Sequence, residues 1–154
     1  MAVKPRPEGY HTATPYLTIR DAARAIDFYR QAFGATELMR MPGPGGKIMH
    51  AEIRIGDSIV MISDENLEMG APSPESLGGT PGSIFLYVDD VDAVVARATQ
   101  AGAKVKMPAT DMFWGDRFGS VVDPFGHAWG VATHKEDLGP EEIVRRRDAQ
   151  MGTK

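Results

Sequence analysis

Cysteine is absent from the 154-residue chain. Its absence removes disulfides, thiolate nucleophiles and zinc-thiolate sites together, so folding requires no oxidising compartment. Long apolar runs are missing too. Nothing approaches the roughly 20 apolar residues of a membrane-spanning helix, and residues 1–10 hold Lys4, Pro5, Arg6, Pro7 and Glu8 instead of a hydrophobic leader. That stretch reads as a flexible lead-in; the expected compartment is cytoplasmic and no membrane contact is expected. Positive charge is scarce and scattered: 17 Lys+Arg stand against 21 Asp+Glu, a formal net charge of -4, with one basic cluster at Arg145-Arg146-Arg147. A nucleic-acid partner is therefore not indicated. The remaining composition, 42% apolar and 25% charged, suits one globular domain able to bury a core.

What is present is a repeat. Ile19-Arg20-Asp21, an amphipathic helix and Phe33-Gly34-Ala35 return as Val88-Asp89-Asp90, a second such helix and Ala101-Gly102-Ala103. In the first copy, residues 14–19 alternate as a strand, and Asp21 caps a helix whose apolar face is Ala22, Ala25, Ile26, Tyr29, Ala32 and Phe33. Gly34 stops it. Strands follow at 36–41, 47–55 and 58–63, the first broken by Pro42-Gly43-Pro44-Gly45-Gly46 and the last two joined by Gly56-Asp57. Residues 64–82, rich in Pro, Gly, Ser and Glu, read as a surface connection. The second copy has a strand at 83–88, a helical face of Val91, Val94, Val95, Ala98 and Ala101, a short strand at 103–107, and a hairpin of 118–122 and 127–133 turning at Asp123-Pro124-Phe125-Gly126. Residues 141–150 suit a charged terminal helix whose last turn carries the arginines. One such module would leave a sheet face bare and a second completes it. The expected fold class is α+β: two β-α-β-β-β modules (12–64 and 82–134) forming a curved mixed sheet around a cleft, one domain at 12–134, and an extension at 135–154.

Strand parity then sorts the side chains. Leu17 and Ile19 belong on the helix side, which turns Thr14, Tyr16 and Thr18 to the cleft, with Ser83, Phe85 and Tyr87 as their repeat equivalents. Met49, Ala51, Ile53 and Ile55 share the core face of the third strand, leaving His50, Glu52 and Arg54 opposite. Aligning Gly56 with Gly126 pairs His50 with Ser120, Glu52 with Val122 and Val60 with Gly130. Phe118, Ser120 and Val122 join the cleft set, and Ala128, Gly130 and Ala132 make a shallow floor with room above it.

These residues resemble the vicinal oxygen chelate superfamily, the group of glyoxalase I, bleomycin-resistance proteins and extradiol dioxygenases. The resemblance rests on residues 14–19 with Ala25-Ile26-Asp27-Phe28-Tyr29 and Phe33-Gly34-Ala35, on Met49 to Asp57, and on Val88-Asp89-Asp90-Val91-Asp92, Phe113 to Gly119 and Asp123 to Trp129. It is closest to the branch labelled demethylubiquinone methyltransferase-like. It implies a metal held by one ligand on the first strand of each module and one carboxylate on each last strand. Carried over, those positions are Thr14, Ser83, Gly130 and the neighbourhood of Val60, which bring hydroxyls, glycine and an aliphatic. The expectation is thus no metal, no cofactor and a homodimer, as in bleomycin-resistance-like binders.

The expected function is binding of a small, planar or aromatic organic molecule in the cleft. Tyr16, Phe85, Tyr87, Trp114 and Phe118 would supply apolar area, while His50, Glu52, Asp116 and Arg117 orient polar groups. The alternative is a metal-dependent or His-based lyase, isomerase or dioxygenase. His50 and Glu52, two apart on one strand face, are its candidate catalytic pair, although a cross-strand hydrogen-bond partnership explains them equally simply. A fallback metal set of His50, Glu52, Asp116 and His127 requires His127 to face the cleft, whereas parity makes it a turn residue and buries Trp129. His11 and His134 read as solvent-facing edge residues.

Overall fold

The computed structural model describes residues 2–152; Met1 and residues 153–154 of the expected extension lie outside the described residues. Module one runs β1 (Tyr16–Ile19), α1 (Ala22–Phe33), β2 (Thr36–Pro42), a 3-10 turn at Pro44–Gly46, β3 (Ile48–Ile55) and β4 (Ser58–Asp64). The connection holds one helical turn, α2 (Pro74–Leu77). Module two repeats the order as β5 (Ser83–Tyr87), α3 (Val91–Gln100), β6 (Lys104–Asp111), β7 (Asp116–Val122) and β8 (Ala128–His134), before α4 (Pro140–Met151). Each module forms its own four-stranded mixed sheet, β1-β4-β3-β2 and β5-β8-β7-β6, with only the first and last strands parallel. The α+β class and paired modules follow the sequence pattern, with the sheet divided in two.

Local chemistry explains the helices. The Asp21 and Asp90 carboxylates accept from the Arg24 and Ala93 amides at 3.3 and 3.1 Å, satisfying donors that the first turn leaves free. Gly34, at φ 67°, closes α1 in the left-handed conformation that a side chain would strain. The apolar faces of both helices are buried, and α1 packs against α3. Tyr29 and Phe33 of α1 also meet the indole of Trp129 on β8, with ring centroids 5.1 and 4.7 Å apart. Both sheets therefore turn one face onto a shared helical core, and the other face of each lies outside it.

Within that core Asp123, 4% exposed, holds the β7–β8 turn together. One carboxylate oxygen accepts from the Phe125 and His127 amides, and the other from the Tyr29 hydroxyl at 2.6 Å and the Trp129 indole at 2.9 Å. Burial, and then the adjacent carboxylate, raise the Tyr29 pKa well above its ordinary value. The turn of one module is thereby tied to the helix of the other.

Three expectations about the fold need correction. Met49 is 57% exposed while Ile48 is buried, because β2 and β3 slip register between Met41 and Pro42 and the extra residue reverses parity upstream. The Ile48 amide donates instead to Asp64 at 2.6 Å. The glycine alignment of the two hairpins is also out of register. The loop after β3 is two residues, Ile55 pairing with Ser58, whereas β7 and β8 pair from Val122 to Ala128, so strand pairing equates Met61 with Gly130 and Glu52 with Ser120. The triple arginine lies mid-helix in α4 and is engaged there: Arg145 and Arg146 with Glu142, Arg146 with Glu136, Arg147 with Asp148. The surface connection itself is pinned. Glu65 accepts from the Ser76 hydroxyl, the Ser73 amide and Arg20, and these partners lower its pKa to about 2.

Candidate functional site

The free face of module two is an aromatic row. Parity places Phe85 and Tyr87 on β5 beside Phe118 on β7, and Trp114 precedes β7 in its entering loop. Phe85 and Phe118 stack at 5.4 Å and 6°, Tyr87 lies 5.1 Å from Phe85, and Trp114 lies 6.2 Å from Phe118. Gly130 makes this stack possible: a Cβ there would stand 2.9 Å from the Phe85 ring and 3.0 Å from that of Phe118. The room expected above the β8 floor is thus filled by the two rings. Phe85 remains 47% and Tyr87 67% exposed, so the row presents ring surface outward.

At the rim of the row sits Asp116, 4% exposed. It accepts from the Tyr87 hydroxyl and the Trp114 indole, each at 3.1 Å, and meets His134 Nδ1 at 2.8 Å, while His134 Nε2 reaches Asp137 at 2.8 Å. Two carboxylates on one imidazole, Asp137 first and Asp116 second, raise the His134 pKa. Burial, and then the Asp116 carboxylate, raise that of Tyr87. A cavity of about 450 Å³ opens here, between Tyr87, Trp114, Asp116 and His134 and the segment at Leu138 and Ile143. His134, solvent-facing at the end of β8 as expected, is in addition part of the cluster. Its signal was in the sequence, since it shares strand parity with Gly130 and Ala132.

Module one's outward face carries a chain of polar side chains among methionines. His50 Nδ1 lies 3.1 Å from the Tyr16 hydroxyl, and His50 Nε2 lies 3.1 Å from Glu52. Tyr10 donates its hydroxyl to the other Glu52 oxygen. Those hydrogen bonds, Tyr10 foremost, lower the Glu52 pKa, and the same contact raises that of Tyr10. The N-terminal segment expected to be a loose lead-in thus docks on β3, lining a second cavity of about 450 Å³ with Glu52 and Met61. Nothing in the local pattern of residues 1–10 announces this.

The predicted site residues therefore fall into two groups: Tyr16, His50 and Glu52 on one sheet, and Phe85, Tyr87, Trp114, Asp116 and Phe118 on the other. Arg117 joins neither. It alternates to the opposite face of β7, where Asp92 of α3 accepts two of its N–H groups at 2.7 and 3.0 Å and Asp111 a third at 3.2 Å. The fallback quartet does not assemble either, because His127 Nε2 meets the Thr18 carbonyl at 3.0 Å. Trp129 is fully buried. At the metal positions implied by the family likeness, Thr14 donates to the His11 carbonyl and Gly130 lies beneath the Phe rings. That donor set does not fit a divalent cation.

Residues 10–131 match the sequence profile of the Glyoxalase/Bleomycin resistance protein/Dioxygenase superfamily. The chain belongs to this superfamily. Among similar proteins, the uncharacterised protein Rv0887c of Mycobacterium tuberculosis is 48% identical over 140 residues, covering 89% of this chain and 82% of that protein. Among solved members, TioX from Micromonospora sp. ML1 superposes with a TM-score of 0.62 at 30% identity, covering 84% of this chain and all of TioX. Protein PA1353 from Pseudomonas aeruginosa does so with 0.64 at 32% identity, covering 82% and 99%. No helix among the described residues is long and apolar enough to cross a membrane.

Proposed function

We propose that this chain binds a small, planar or aromatic organic molecule against the aromatic row of module two, in a cleft completed by the module-one face of a second copy. The observation that carries the reading is the exposed, flat stack of Phe85 and Phe118 continued by Tyr87 and Trp114. Ring faces left open to water recover their burial only when a flat apolar surface covers them. Asp116 and His134 at the rim supply the few polar groups that orient a ligand in such a site. The two free faces belong to different sheets and are lined by different cavities, so a twofold-related copy offers each the partner that it lacks.

Titration of the protein with a panel of planar aromatic compounds, followed by the fluorescence of the Trp114 indole and by calorimetry, tests the first part. Phe85→Ala and Trp114→Ala are each expected to weaken the best compound at least tenfold. Unchanged affinity in both variants sinks the assignment. Light scattering tests the second part, and a monomer at every micromolar concentration tried would reject the two-copy cleft.

A further inference from the structure

We propose that Tyr16, His50 and Glu52 form a metal-independent proton-transfer site that acts, through the Tyr16 hydroxyl, on the α C–H of a small neutral carbonyl compound. The hydrogen bonds dictate the direction of the relay. A carboxylate only accepts, so His50 Nε2 must carry the proton that lies on Glu52 at 3.1 Å. In the neutral ring Nδ1 is then bare, and the Tyr16 hydroxyl donates to it at 3.1 Å. Tyr16 is 50% exposed and is the outward end of this chain, while Glu52 at its inner end is fixed by Tyr10. A phenol backed by an imidazole whose other nitrogen rests on a carboxylate is the arrangement that activates a weak acid as a base.

The surroundings set the class of compound. Met41 pairs with His50 across the sheet, and Met39 and Met61 flank Glu52 on either side, so three thioethers neighbour the relay across the strands. They favour a neutral, polarisable molecule over a charged one. The step balances without a co-reactant. Tyr16 passes its proton to Nδ1 as Glu52 stabilises the imidazolium, and the phenolate oxygen takes the α-proton, whose bonding pair becomes the enolate. The reverse transfer returns a proton to carbon or oxygen of the same molecule. Glu52 stays ionised for this role, since the hydrogen bonds from Tyr10 and His50 hold its pKa below the ordinary glutamate value.

Labelling with benzenesulfonyl fluoride, mapped by peptide mass spectrometry, tests the activation. Tyr16 is expected to react at least tenfold faster than Tyr87, which is more exposed but hydrogen-bonded to a carboxylate, and His50→Gln is expected to slow Tyr16 at least tenfold. Labelling at the Tyr87 rate, or a rate indifferent to His50→Gln, overturns the relay. Deuterium incorporation into cyclohexanone and phenylacetone in D2O, followed by proton NMR, tests the chemistry. Wild type and the remote Arg145→Ala variant are expected to exceed buffer at least tenfold, and Tyr16→Phe to return to the buffer rate with its circular dichroism unchanged. Exchange at the buffer rate with wild type overturns the carbonyl assignment, as does full exchange in Tyr16→Phe.

Discussion

Asp123 and Asp116 are equally buried, and each accepts a tryptophan indole N–H and a tyrosine hydroxyl, yet they do different work. Asp123 is completed by the two backbone amides of its own turn, so all of its partners are fixed by the fold. Asp116 is completed by His134, whose side chain is half exposed and which titrates. The same three-residue chemistry makes a rigid joint between modules in one place and a solvent-responsive rim in the other. The difference lies in the last donor, which is a backbone amide in the core and an imidazole at the surface.

The comparison can be broken most severely at the core. Asp123→Ala strands four donors at once, two of them fully buried side chains, and at about 1–3 kcal/mol for each buried group left unpaired it should destabilise the chain by roughly 4 kcal/mol in urea unfolding. Asp116→Ala removes an acceptor from partly exposed donors that water can reach, so a loss of about 1–2 kcal/mol is expected. An equal cost at both sites would show the rim to be as closed as the core. The pH dependence sharpens the contrast. Because the folded-state pKa of His134 is raised, its contribution is fully present below the unfolded value of about 6.5 and fades as pH rises through the folded value. Wild type minus His134→Gln stability, measured by thermal unfolding across that window, should fall with pH; a flat difference would refute the coupling of His134 to Asp116 and Asp137. The smallest effect is expected at Arg117→Ala. Its exposed ion pairs with Asp92 and Asp111 are solvent-screened, so the thermal midpoint and the affinity for a planar ligand should both stay at wild-type values.

Much of this was legible along the chain. The helical faces of α1 and α3, the alternation that put Tyr16, His50 and Glu52 on one face and Phe85 and Tyr87 on another, and the burial of Trp129 all follow from periods of 3.6 and 2. What failed to transfer was register. Parity counts correctly only while a strand is unbroken, so the slip at Met41 and Pro42 inverted Met49, and unequal hairpin loops shifted the equivalence of Val60 and Gly130 by one residue. Arg117 departs from expectation for a different reason: β7 begins at Asp116, and alternation sends the next side chain to α3, away from the face that carries Phe118. Tyr10 carries no periodic signal at all, and its contact with Glu52 spans 42 residues.

By itself the sequence determined that this protein is two copies of one module and, wherever a strand or helix runs unbroken, which side chains are buried and which face outward. Local periodicity and capping encode those properties residue by residue. Tertiary structure alone decided that His134 closes on Asp116, that Gly130 is the seat of two stacked rings, and that Tyr10, Glu52, His50 and Tyr16 form one hydrogen-bonded chain. Those are contacts between strands and segments distant in sequence, and their geometry exists only once register, turn length and helix packing have brought the pieces within 3 Å or so of one another.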